Sequence, residues 1–240
     1  MSRPVGTVFT TLFLADNFPA LKGNGNVVEL YYDCGSPYSW IAFEILTHCE
    51  EVLPFQLRLK PICLGAILRD PSQTSLEAAR DPHLLAHIER LGKFCNTTLK
   101  QIEESIRGST KVDTLKAMRF LTSIEVNYPG FLVPATREII SRVWSTKEPI
   151  DEEKHFWDVA EKIKLPEPER IIKEIESARA KVTLRRRTRD ALKMGTFGAP
   201  WIVVKRPNKE DVRLFGGDRI HVIVDLLGWS FPRSELKSKI

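Results

Sequence analysis

No Cys-x-x-Cys pair occurs in this chain. Its four cysteines, Cys34, Cys49, Cys63 and Cys95, are widely spaced. That excludes a zinc ribbon and a dithiol redox centre, and leaves free thiols of a reducing compartment as the expectation. No apolar run reaches the length of a membrane span, and there is neither an internal repeat nor a low-complexity segment. Charges nearly cancel: 36 Lys and Arg against 31 Asp and Glu leave a net +5. This excess suits acidic small molecules and falls short of a nucleic-acid footprint unless it is clustered. The one dense cluster, Arg185-Arg186-Arg187 with Arg189, has the spacing of a solvated helix face. His83 and His87 stand at i, i+4, but no His-Glu-x-x-His pattern and no third ligand accompany them, so no metal is expected.

What is present is enough apolar material for a real core: 42% of 240 residues. "VVELYYD" (27–33) reads as a buried strand. In "CGSPYSWIAFEIL", Ser36 is a good N-cap, Pro37 suits the first helical position, and apolar residues continue for three turns. "FQLRLKPI" (55–62) alternates as a second strand. From 72 to 194 the pattern is helical, with breaks at Gly108, Pro129-Gly130, Pro149 and Pro166. Two β-type runs then return, "WIVVK" (201–205) and "DVRLF" (211–215), joined by the hairpin signal "RPNKE". A last helix follows "GGD", with Asp218 as its expected cap. The fold class expected is α/β: a thioredoxin-like βαβ…ββα domain (26–71 and 195–230) interrupted by an all-helical insertion (72–194). Tails run over 1–25 and 231–240. The first lacks the flanks of a signal peptide and is poor in Arg for a mitochondrial presequence. The second ends in Ser238-Lys239-Ile240, one side chain away from a peroxisomal S-K-L signal.

Three segments carry candidate chemistry. Ser36-Pro37-Tyr38-Ser39 stands where thioredoxin-type enzymes place Cys-x-x-Cys. Ser36 has three readings: a nucleophile, although no Gly-x-Ser-x-Gly elbow surrounds it; a plain N-cap; or a donor to a ligand's sulfur bound at the helix N-terminus, where thiol pKa values fall. In "GTFGAPW", Pro200 precedes the β-run where that layout has a cis-proline, which would leave the backbone N–H and C=O of Ala199 outward for an extended peptide. An ordinary strand-initial proline is the other reading. In "LFGGDR", Gly216-Gly217 permits close backbone approach and Asp218 can accept from an ammonium, so the pair suits an α-amino acid head group, or is simply a turn with a cap. Cys34 is read as packing.

These segments in this order resemble the kappa-class glutathione transferases. The likeness rests on "VELYYDCGSPYSWIAFEIL", "LRLKP", "AMRFLTSI" (117–124) and "GTFGAP…LFGGDRIHVIVDLLG", and spans most of residues 27–228. Bacterial 2-hydroxychromene-2-carboxylate isomerases are similar, and DsbA-type oxidants more distantly so. The resemblance implies glutathione as co-substrate, with its sulfur against Ser36 and Tyr38 close by. Ala199 would pair with the cysteinyl backbone, and Gly217 and Asp218 would take the γ-glutamyl head; Pro37 and Pro200 complete this implied cradle. It further implies a homodimer located in peroxisomes or mitochondria. Three departures stand out. Gln73 occupies the place of a family Asn. "TSLEAARDPHLLAHIERLGKF", with Arg80, replaces a Pro-rich basic and aromatic stretch. Gly217 replaces a Ser. The activity expected is attack of glutathione thiolate on small hydrophobic electrophiles, aryl halides or peroxides. The alternatives are a glutathione-dependent isomerase of the 2-hydroxychromene-2-carboxylate type and a non-catalytic thioredoxin-fold binding protein.

Overall fold

The structure is a computed structural model that describes residues 25–51, 53–70, 88, 90 and 113–228. Gln73, Arg80, His83, His87, Cys95, the expected break at Gly108, and the tails over 1–24 and 231–240 lie outside the described residues. Strand β1 (Val27–Tyr32) leads through helix α1 (Pro37–Glu50) to β2 (Gln56–Pro61) and a short helix α2 (Leu64–Ile67). Five helices follow among the described residues of the middle: α3 (Leu115–Asn127), α4 (Leu132–Ser141), α5 (Glu153–Lys162), α6 (Pro168–Glu174) and α7 (Ala178–Lys193). A 3₁₀ turn (Pro129–Phe131) separates α3 from α4, and a π-helical turn (Arg142–Thr146) continues α4. No strand interrupts this segment among the described residues, and its breaks fall at Pro129-Gly130, Pro149 and Pro166 as the sequence predicts. The chain closes with β3 (Trp201–Lys205), β4 (Val212–Phe215) and α8 (Ile220–Leu226).

The sheet order is β2-β1-β3-β4. β1 pairs in parallel with β2, and antiparallel with β3, which forms an antiparallel hairpin with β4. The period of two in strand side chains divides the apolar residues between two faces. Val28, Leu30 and Tyr32 join Ile202, Val204 and Leu59 in one core with Ile41, Phe43 and Leu46 of α1 and Ile223 of α8. That same core continues through Phe120 and Leu121 of α3, Ile139 of α4, Trp144 and Phe156. Tyr31, Trp201 and Val203 face the other way, against Ile62, Ile67 and Ala191. The middle helices are therefore fused to the sheet through shared apolar burial. Tyr32 adds a polar tie across this core, its hydroxyl lying 2.6 Å from that of Thr136 on α4.

The arginine cluster divides on α7. Arg185, Arg186 and Arg189 are exposed as expected, while Arg187 is half-buried. Arg187 pairs with Glu125 of α3 and donates to the Pro61 carbonyl at 3.2 Å, while Lys60 reaches the same Glu125 at 3.0 Å. A 3.6-residue period could not mark which of three adjacent arginines turns inward, because the acid that draws it lies on another helix.

Candidate active site

The site begins where β1 ends. Asp33 is fully buried; its Oδ1 accepts from the Gly35 amide at 2.9 Å and its Oδ2 from the Leu64 amide at 2.8 Å. The Thr114 side chain also bonds to it. Burial pushes its carboxyl above the usual range, against the pull of these donors. Through the two amides Asp33 fixes both the turn into α1 and the turn after β2. Its signal in the sequence was a carboxylate at the end of an apolar strand, two residues before Gly35.

Ser36 follows with extended backbone (φ −108°, ψ 119°) as the N-cap of α1, and Pro37 takes the first helical position. The Ser36 amide donates to the Asp33 carbonyl at 3.0 Å. Its Oγ accepts from the Ser39 amide at 3.2 Å and donates to the Ala199 carbonyl at 2.9 Å. The peptide between Ala199 and Pro200 is cis, as the element order predicts. The expectation for Ala199 needs one correction: its carbonyl is held by the Ser36 hydroxyl rather than standing outward, and the residue is buried. Ser36 is thus an N-cap and a cross-link to the proline loop at once, and its side-chain oxygen lies at the positive end of a 14-residue helix.

The Gly216-Gly217-Asp218 turn closes the site from β4. Gly216 has φ +100°, a conformation that glycine adopts without strain, and its amide donates to the Pro200 carbonyl at 3.2 Å. A Cβ at Gly217 would lie 2.7 Å from the Tyr38 carbonyl oxygen, so this turn rests directly on the first turn of α1. The predicted role of Asp218 as helix cap is overturned. The N-cap of α8 is Arg219, without a side-chain cap bond, and the Asp218 carboxylate pairs with the Arg219 guanidinium at 3.0 Å. The neighbouring cation, absent from the cap pattern, draws that carboxylate away from the helix end. Burial, and then the charge of Asp218, push the Tyr38 phenol up to about 12. It therefore remains a neutral hydrogen-bond donor at physiological pH.

The structure thus brings together Ser36, Pro37, Tyr38, Ala199, Pro200, Gly217 and Asp218. No cysteine thiol of the described residues is activated. Cys34 is fully buried and its pKa is raised well above normal by that burial, next by the charge of Asp33. Burial pushes Cys49 up to about 12 and also raises Cys63. No cluster of three metal-ligating side chains occurs among the described residues. None of Cys34, Cys49 and Cys63 is therefore suited to supply a thiolate at Ser36.

A profile of the DSBA-like thioredoxin domain matches residues 27–228. Glutathione S-transferase kappa 1 of Rattus norvegicus is 31% identical over 212 residues, covering 86% of this chain and 93% of the relative. Its Homo sapiens counterpart is 34% identical over 218 residues, covering 85% of this chain and 93% of the relative. The chain belongs to the kappa-class glutathione S-transferase family. Within solved structures the fold is that of a 2-hydroxychromene-2-carboxylate isomerase, at TM-score 0.66 and 17% identity, covering 89% of this chain and all of the other. Against this kappa-class frame, sequence reasoning overlooked Asp33, Met118 and Trp144. The last two bond the backbone amide and carbonyl of Cys34 from far along the chain, where no local pattern announces them.

Proposed function

We propose that this chain is a glutathione transferase in which Ser36 stabilises the thiolate of bound glutathione for attack on small hydrophobic electrophiles. The observation that carries this reading is the Ser36 hydroxyl, set at the N-terminus of α1 and bonded to the carbonyl of the residue before the cis-proline. A hydroxyl has one proton. When a thiolate arrives, that proton turns from Ala199 to sulfur, and the freed carbonyl takes the cysteinyl N–H of the ligand. The helix N-terminus and the new donor both favour the charged form, which lowers a thiol pKa from about 8.5 by one or more units. Tyr38, held neutral, offers a second donor, and the Asp218 carboxylate suits the ammonium of the γ-glutamyl group.

The thiolate then attacks the electrophilic carbon of an aryl halide: a C–S bond forms and halide departs with the C–X electron pair, while the thiol proton has already gone to solvent. Phe197 stands two residues before Ala199 and is 39% exposed. Its ring contacts Trp201 and Phe215 at centroid distances of 5.6 and 4.5 Å, so it offers an aromatic surface beside this loop.

Calorimetric titration should show saturable glutathione binding with proton release at neutral pH, and an aryl halide should be converted to its thioether. Absence of binding at millimolar glutathione would return the chain to the non-catalytic reading. Turnover of a 2-hydroxychromene carboxylate without net glutathione consumption would move it to the isomerase reading. The proposal extends to a homodimer, readable by sedimentation, and to Ser238-Lys239-Ile240 as a peroxisomal address. Removing those three residues should disperse the fluorescently tagged protein from peroxisomes, and an unchanged distribution would rule the address out.

A further inference from the structure

The turn that presents Ser36 is gripped from its inner side by the middle helices. The Cys34 amide donates to Sδ of Met118 at 3.4 Å, and the Cys34 carbonyl accepts from Nε1 of Trp144 at 2.8 Å. Both partners are buried, Met118 on α3 and Trp144 in the π-helical turn that follows α4. Cys34 lies after β1 has ended and before α1 has begun, so no strand or helix ladder fixes its peptide. The next residue is Gly35, where a Cβ would sit 3.0 Å from Cγ2 of Thr114. Without that Cβ the orientation of the Cys34–Gly35 peptide rests on its two polar ends: the Gly35 amide donates to Asp33 Oδ1 at 2.9 Å, and the Cys34 carbonyl takes the Trp144 indole N–H. The π-helical turn is itself anchored: buried Arg142 bonds Glu138 at 3.0 Å, Glu148 at 3.3 Å and Asp158 at 3.7 Å. Such turns recur at functional sites.

We propose that Trp144 is a positioning residue for the thiolate chemistry: its indole N–H holds the Cys34 carbonyl toward the core, so that amide dipoles, and not a carbonyl, surround the sulfur bound at Ser36. The inference rests on the glutathione reading given above. A buried carbonyl that loses its donor turns toward another partner. Rotation of this peptide would bring a partial negative charge toward the sulfur, which disfavours the thiolate. It would also disturb Gly35 and Ser36, which set the start of α1. Trp144 would in this way tune the acidity of the bound sulfur through the peptide it holds.

The test titrates bound glutathione by the ultraviolet absorbance of its thiolate, in wild type and in Trp144→Phe. The variant should raise the bound-thiol pKa by about one unit and lower kcat/KM below that pKa by about ten-fold, with kcat recovering at high pH. Trp157→Phe is the control: that indole donates to Glu153 at 3.4 Å on an exposed face, and its loss should leave the titration unchanged. If Trp144→Phe does not fold, benzothienylalanine at position 144 keeps the ring shape and removes only the N–H, and it should give the same shift. A wild-type titration curve from either folded 144 variant overturns the proposal, even if its melting temperature has dropped. A wild-type protein that shows no thiolate with glutathione overturns the underlying glutathione reading and this inference with it.

Discussion

Replacing Ser36 by Ala is expected to raise the pKa of bound glutathione by about 1–2 units and to cut conjugation at pH 7 by about 10–100-fold. The sign follows from which form reacts. Thiolate accumulates above the bound pKa, so the wild-type rate climbs through that pKa and then levels. The variant follows the same course displaced to higher pH. The ratio of rates is therefore greatest below both pKa values and narrows above them, where both proteins hold thiolate. Ser36 also caps α1 and ties it to the proline loop. Its loss removes about 1 kcal/mol of capping and leaves the buried Ala199 carbonyl unpaired, a further cost of about 1–3 kcal/mol. A lowered melting temperature is thus expected as well, and the pH-rate profile separates the two effects. A variant that melts earlier yet keeps the wild-type profile would reduce Ser36 to a cap.

The second large effect is expected at Gly217, in a direction the family comparison alone would reverse. The resemblance read from the sequence implies a Ser at this place, and by that likeness Gly217→Ser should restore a hydroxyl contact and tighten glutathione binding. The geometry argues against it. Any Cβ at 217 would lie 2.7 Å from the Tyr38 carbonyl oxygen and 3.3 Å from the Ala42 amide nitrogen, both backbone atoms of α1. The turn must retreat from the helix, carrying Asp218 away from Tyr38. Overpacking of this kind costs about 1–3 kcal/mol, so the glutathione Kd should weaken by about ten-fold. Gly217→Ala should weaken it equally, because the β-carbon and not the hydroxyl does the damage. Tighter binding by the Ser variant would show that the missing hydroxyl outweighs the close approach. Calorimetry on the three proteins decides.

The local parts of this architecture were legible in the sequence because local physics determines them. Apolar "VVELYY", the Ser-Pro helix start and the hairpin between β3 and β4 each reflect neighbours in the chain. The cis-proline followed from element order, and the breaks in the middle helices from their prolines. What escaped depends on partners far away in sequence. Asp218 was assigned to a helix cap because it precedes an apolar helix, yet the adjacent Arg219 takes its carboxylate. Arg187 looked like its exposed neighbours until Glu125, 62 positions earlier, supplied its partner. Met118 and Trp144 lie in a segment whose sequence shows only helical spacing, and their hold on Cys34 spans 84 and 110 positions. Half of the site, the strand end with its serine cap, is written in consecutive residues. The other half is written in packing.

The single proton shared between Ser36 and Ala199 also bears on which thiols the enzyme would accept. In the proposed reading a ligand that draws the hydroxyl to its sulfur must at the same time give an N–H to the carbonyl it abandons. Glutathione does both from one residue, its cysteinyl group carrying the sulfur and the N–H three bonds apart. A small thiol without a neighbouring amide gives only the first, and leaves a buried acceptor stranded. Discrimination between peptide thiols and simple ones would then come from what the empty protein already satisfies within itself, before any pocket measures the size of the guest.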